Sequence, residues 1–248
     1  MLDQSTLYQT FTFIACVVVF SFLEFRRPGF AINKMQDIYL NILALLVVIF
    51  AGEYVKTFIT YGFDTIDMKK IFSQNYFSGF PSFVKIIIAI ILTDFALYWV
   101  HKYMHRPLLW RTHTFHHSIK QLWWLAGSRT SVIHLLLYSV PQVLIGYYFL
   151  QLNILELTAA YSFGIVVNIW IHSNIWVTIK PIDWLLITPN YHRIHHGSRG
   201  FGVKNLGAVF TIWDRIFKTY INPGTVEKDF PLFAVPTQKH LIRMIIGF

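Results

Sequence analysis

A single cysteine, Cys16, in 248 residues rules out an internal disulfide and any four-cysteine metal site. It lies in an apolar stretch and reads as a small buried hydrophobe. Charge is also scarce. Asp, Glu, Lys and Arg make up 13% of the chain against 55% hydrophobic residues, with a mean hydropathy of +0.49, which excludes an ordinary soluble domain. There is no internal repeat, low-complexity run or long Pro, Gly or Ser linker, so residues 1–248 read as one domain. The net charge of +9 is spread through loops rather than gathered in one basic stripe, which argues against nucleic acid as a partner.

What the chain does have is apolar runs of bilayer-spanning length, near residues 7–25, 38–60, 83–100, 132–150 and 152–171. These predict an all-α, multi-pass membrane bundle of four or five helices. The last two runs are separated by almost nothing and predict a tight hairpin that stops short of a full crossing. The first run lacks a basic leader and a small-residue cleavage site, so it is expected to be a retained helix. Lys and Arg in short loops favour the cytoplasm. Arg26, Arg27 and Lys34, then Lys102 to Arg129, then Lys180 to Lys218 all fall on one side if the N-terminus is outside. Asp64, Asp67, Lys69 and Lys70 fall, charge-balanced, on the other side.

Nine of the eleven histidines sit in tight clusters: His101 and His105 as HxxxH, His113, His116 and His117 as HxxHH, His172 alone, and His192, His195 and His196 as a second HxxHH. At this histidine frequency one HxxHH arises by chance in about two chains in a hundred, so two together are not coincidence. On a helix, residues i, i+3 and i+4 share a face, so each triplet is expected to aim three imidazoles at a common point. Thr112 is expected to cap a helix holding the first triplet. Thr188-Pro189 should open the helix of the second, with Gly197 ending it. By the orientation above, every cluster faces the cytoplasm, where residues 101–129 and 173–248 are expected to form a cap on the membrane part. So many imidazoles without cysteine suit iron, zinc or copper rather than calcium or magnesium, and nine nitrogens match two metals with four or five protein ligands each.

The ordered set HxxxH, HxxHH, His172-Ser173-Asn174 and Thr188-Pro189-x-x-HxxHH resembles the fatty acid hydroxylase superfamily, also called the sterol desaturase family. The flanking residues share the resemblance: Asp94 with Tyr98-Trp99-Val100-His101, Asp183, Asn205, and Trp213 to Phe217 with Thr219-Tyr220. The match covers residues 94–220. It implies a non-haem centre of two Fe ions, with O₂ as co-substrate and zinc as a possible substitute in purified samples. Such a centre hydroxylates or desaturates a membrane lipid entering laterally through an apolar slot. The resemblance also implies an external electron donor of the cytochrome b5, ferredoxin or reductase kind, since no such domain is visible in the sequence.

Some members carry a histidine where this chain has Asn168, so either Asn168 completes the metal shell through its amide oxygen or a water, or one metal has fewer protein ligands. Asp94, an acidic residue inside a span, is expected to accept an N–H from a ligating histidine and fix its tautomer. Asn205 and Asp214 are similar supporting candidates, and His134 is a candidate extra ligand. Glu53 and Lys56 read as a local ion pair.

Two other functions are weighed. A membrane metal-handling or transport protein would need polar groups through the bilayer midplane, whereas the histidines gather at one face. A zinc-dependent lipid hydrolase would need a carboxylate base, and the clusters contain no Glu. The compact chain, without an endoplasmic-reticulum retrieval tail, points to a bacterial inner membrane, with the endoplasmic reticulum as the eukaryotic counterpart.

Overall fold

Five apolar stretches become five long helices. The computed structural model describes residues 4–177, 179–198, 203–228, 230–237 and 240–248. The helices are α1 (Gln4–Arg26), α2 (Ile38–Thr65), α3 (Ser82–Met104), α4 (Val132–Val143, continued by a π-helical stretch Leu144–Phe149) and α5 (Ile154–His172). All five are long and apolar enough to cross a membrane, at 18 to 28 residues. At 1.5 Å per residue that is about 27–42 Å, against a hydrocarbon core of about 30 Å. The closing hairpin, expected to fall short, therefore has the length to span.

The helices carry large apolar side chains outward as well as inward: Phe25, Tyr54 and Phe83 are all exposed. A helix that is apolar all round belongs in lipid. Helix α2 runs five residues past the expected end, because Tyr148 donates its hydroxyl to Thr60 O and Asp64 Oδ1 and holds that last turn against α4. Pro141 lies within α4 just before the π-helical stretch, where its missing N–H interrupts the regular ladder. The α4–α5 turn places Gln151 in left-handed geometry (φ +48°), and Asn153 with Glu156 forms a capping box at the start of α5.

Helix α1 packs on α5 and α2 on α4, while α3 touches both α4 and α5. Lys85 of α3 bonds Glu156 of α5 at 2.5 Å, and Glu53 and Lys56 form the expected local pair at 2.9 Å. The cap consists of short helices and irregular chain, and among the described residues only three isolated bridges and no strand occur. It is tied to the bundle by buried charge. Glu24 of α1 accepts the backbone N–H groups of Trp124 and Asn174 and pairs with Lys34. Arg129 binds Asn41 of α2. The C-terminal ends of α1, α3 and α5 and the N-terminal ends of α2 and α4 thus meet one cap, and the nine histidines lie at that end.

Candidate metal centre

His101 and His105 stand one turn apart at the end of α3. His113 ends a one-turn helix that begins at Trp110, and His116 and His117 follow on a 3-10 turn. Thr112 is inside that first helix and donates its hydroxyl to Leu109 O, so it does not cap the triplet. His172 closes α5, and the last triplet lies on helix α6 (Pro189–His195). Thr188 holds the N-cap position of α6. The helix ends one residue before the expected stop, with His196 as its C-cap.

These side chains assemble into two buried groups. One contains His101, His105, His113, His117 and His195; the other contains His116, His172, His192 and His196. Within each group the candidate ligand atoms all lie within 4.8 Å of one another. The expectation that each HxxHH aims at one point is overturned. His113 and His117 share a group while His116 joins the other; His192 and His196 share a group while His195 crosses over. At 3.6 residues per turn, i and i+4 lie about 40° apart but i+3 and i+4 about 100° apart, so one triplet can serve two centres. Each motif therefore stitches the two groups together.

The electrostatics call for a cation in each group. His101 Nδ1 lies 2.7 Å from Leu206 O, His195 Nδ1 3.0 Å from Lys204 O, His116 Nδ1 3.1 Å from Arg129 O and His172 Nδ1 2.8 Å from Asn168 O. A carbonyl only accepts, so each Nδ1 carries the proton and each Nε2 presents a bare lone pair. Those lone pairs converge: His172 Nε2 is 3.4 Å from His116 Nε2 and 3.0 Å from His192 Nε2, which is 3.2 Å from His196 Nε2. In the other group His101 and His113 meet at 3.0 Å and His117 and His195 at 3.1 Å. Nitrogens about 2.1 Å from a common ion stand about 3.0–3.4 Å apart, so the spacing fits.

Protonation does not relieve the crowding. Burial first, and neighbouring histidines second, hold His113, His116, His117, His192, His195 and His196 well below the ordinary imidazole range and push His105 down to about 2.

The supporting residues act on the chain that holds the rings. Asp94 accepts N–H groups from Ala208, Val209, Phe210 and the Trp213 indole, not from a histidine as expected. Asp214 accepts from Leu206 N, Gly207 N and the Thr219 hydroxyl, which also meets Tyr98 Oη at 2.9 Å. The two carboxylates grip residues 206–210 and present Leu206 O to His101. A Cβ on Gly207 would lie 2.7 Å from Phe210 O and 2.8 Å from Ile187, so only glycine passes there. Asn205, in left-handed geometry at φ +54°, binds Tyr191 O and both backbone groups of Ile221.

Asn168 places its amide against Gly127 O at 3.4 Å and lends only its backbone carbonyl to His172. His134 lies outside both groups, with its Nδ1 3.3 Å from His113 Nδ1. It is placed to orient that ring. Sequence reasoning missed Arg129, which is fully buried. Its guanidinium donates to Asn41 Oδ1, to Ser118 O and Oγ and to Asp37 O, while its carbonyl takes His116 Nδ1. Burial lowers its pKa to about 10, so the clamp stays charged at neutral pH.

A cavity of about 490 Å³ opens onto His101, His113, His116, His172 and His192 and continues among α2, α4 and α5 to Lys56 and Tyr161. Its walls are mostly apolar, with Leu45, Ile49, Leu97 and Leu135 among them. Both histidine groups thus face one slot. A family model for fatty acid hydroxylase matches residues 86–219, more than half the chain. The chain belongs to that family. Among its relatives, human (Homo sapiens) alkylglycerol monooxygenase is 25% identical over 212 residues, covering 82% of this chain and 44% of the relative. Ornithine lipid hydroxylase OlsE of Rhizobium tropici is 31% identical over 150 residues, 58% of this chain and 44% of the relative. Human lathosterol oxidase is 31% identical over 160 residues, 63% of this chain and 51% of the relative. The chain therefore spans about half the length of these curated relatives, and no solved structure matches it.

Proposed function

We propose that this chain is a membrane-bound oxidoreductase that uses O₂ to hydroxylate or desaturate a lipid, with two irons held by the five-histidine and four-histidine groups. One observation carries the reading: two sets of converging, unprotonated imidazole nitrogens stand side by side at the end of an apolar slot inside a membrane bundle. When bound, the irons supply the redox chemistry that activates O₂. Hydroxylation consumes the lipid C–H, O₂, two electrons and two protons and yields an alcohol and water; desaturation yields an alkene and two waters.

The chain's own residues do the rest. Leu206 O, Lys204 O, Arg129 O and Asn168 O fix the tautomers that leave Nε2 free for metal. Asp94 and Asp214 hold the 206–210 segment rigid. The apolar slot aligns the reacting carbon and keeps bulk water away. Neither group contains a carboxylate to serve a hydrolase as base, and the named relatives are a monooxygenase, a lipid hydroxylase and an oxidase rather than hydrolases or transporters.

We read the 248 residues as one domain with its N-terminus outside and its histidines on the cytoplasmic face, in a bacterial inner membrane or, in a eukaryote, the endoplasmic reticulum. The excess of Lys and Arg on the cap side supports that orientation. Electrons then arrive from a separate cytochrome b5-like, ferredoxin or reductase donor. Lipid mass spectrometry on cells with and without the gene, grown under ¹⁸O₂, tests the function. One lipid class gaining a labelled oxygen, or losing two hydrogens, supports it; unchanged lipids with iron-loaded protein in the membrane overturn it.

A further inference from the structure

We infer that the slot is built for an amphiphile, and that Tyr138 and Gln142 hold its hydrogen-bonding group (an ester, amide, ether or hydroxyl) within one to two helical turns of the histidines. The inference rests on the oxygenase reading for its consequence and on the geometry of α4 for its content. His134, Tyr138, Gln142 and Gly146 follow at i, i+4, i+8 and i+12 along α4 and its π-helical continuation, and all four line the slot. One stripe of α4 therefore forms a slot wall.

Tyr138 meets the rings of His134 and His101, at 4.5 and 6.4 Å between centroids, but its hydroxyl has no hydrogen bond among the described residues. Gln142 likewise has no partner for either its carbonyl oxygen or its amide nitrogen among the described residues. The contrast with other polar groups on the slot is informative. Lys56, at the far end, is already paired with Glu53, and Asp94 takes four N–H donors. Of the long polar side chains towards the histidine end of the slot, Tyr138 and Gln142 are the ones left without a hydrogen-bond partner among the described residues. A phenol and a carboxamide in an apolar, membrane-embedded slot need partners there, and together they offer donors and an acceptor.

A plain alkyl chain drawn past them would displace water and leave both groups unsatisfied. A lipid with its polar linkage at this height satisfies them instead. Four residues of helix rise about 6 Å, so Tyr138 and Gln142 fix that linkage close to the histidines and set oxidation near the polar end of the lipid rather than far along its tail.

Binding tests this independently of turnover. The purified full chain in detergent is assayed by scintillation proximity with tritiated 1-O-hexadecylglycerol as probe, competed by unlabelled ether or by hexadecane. The ether should compete at least tenfold better than hexadecane. Gln142→Met, which keeps length and removes both polar groups, and Tyr138→Phe should each weaken ether binding about 3- to 10-fold while leaving hexadecane competition and iron content unchanged. Equal competition by hexadecane, or ether affinity within twofold of wild type in both variants, overturns the inference. Should ¹⁸O₂ labelling find no oxidised lipid while Gln142→Met still loses ether affinity, the oxygenase reading fails and the amphiphile site stands.

Discussion

Replacing Gly127 with alanine adds one methyl group beside the candidate metal centre and nothing else. Gly127 has no positive φ, so alanine suits its backbone and even lowers the entropy of the unfolded chain. The conflict is steric. The new Cβ would lie 2.7 Å from both Cγ and Nδ1 of His172 and 3.0 Å from its Cβ. Ordinary carbon contacts begin near 3.5 Å, so the ring must retreat by about 0.8 Å. It is held on one side by Asn168 O at 2.8 Å and aimed on the other at His192 Nε2 at 3.0 Å. A displacement of that size stretches a metal–nitrogen bond from about 2.1 to nearly 3 Å, which ends it as a ligand bond. The four-histidine group would then keep three ligands. The purified variant should hold about one iron per chain where wild type holds two, measured by inductively coupled plasma mass spectrometry against quantitative amino-acid analysis. Oxidised lipid should fall at least a hundredfold, while overpacking costs only about 1–3 kcal/mol of stability. Gly62 on α2, which lies outside the slot and whose added Cβ meets nothing within 4 Å, is the control and should behave as wild type. Two irons per chain and normal product in Gly127→Ala would refute the reasoning.

His116→Ala and His195→Ala remove one nitrogen from the four- and five-membered groups respectively. Each should abolish product formation while membrane-fraction yield stays near wild type, and retained turnover in either removes that residue from the centre. Asp94→Asn turns an amide NH₂ towards N–H donors that the carboxylate now accepts, so the 206–210 segment should loosen at a cost of about 2–4 kcal/mol. Thermal inactivation in detergent should drop by several degrees, and an unchanged midpoint would show that Asp94 does not hold that loop. Acid should weaken the metal-free chain. The buried histidines bind protons less readily folded than unfolded, so stability is full above about pH 6.5 and falls as pH drops towards 2. A thermal midpoint that holds or rises between pH 7.5 and 5 would contradict this.

Much of this architecture is legible in the sequence, because a bilayer imposes length. Helices α1 to α5 begin within three residues of the apolar runs that announce them, and the chief misjudgement is the last turn of α2, held by Tyr148 from 84 residues away. The nine clustered histidines are equally visible. Their division is not, because spacing along a helix cannot say which of two targets each ring faces, and the first triplet crosses from an α-helix to a 3-10 turn. Asp94 was conspicuous as a charge inside a span, but its donors lie 114 to 119 residues downstream, with no local pattern to reveal them. Glu24 and Arg129 gave no periodic signal at all. Their partners sit up to 150 residues away, and only folding shows that they fasten the cap to the bundle.

The most direct test is an anomalous-difference map at the iron edge from crystals of the iron-loaded full chain. Two peaks are expected, one enclosed by His101, His105, His113, His117 and His195 and the other by His116, His172, His192 and His196. A single peak, or peaks away from these rings, would contradict the paired centre.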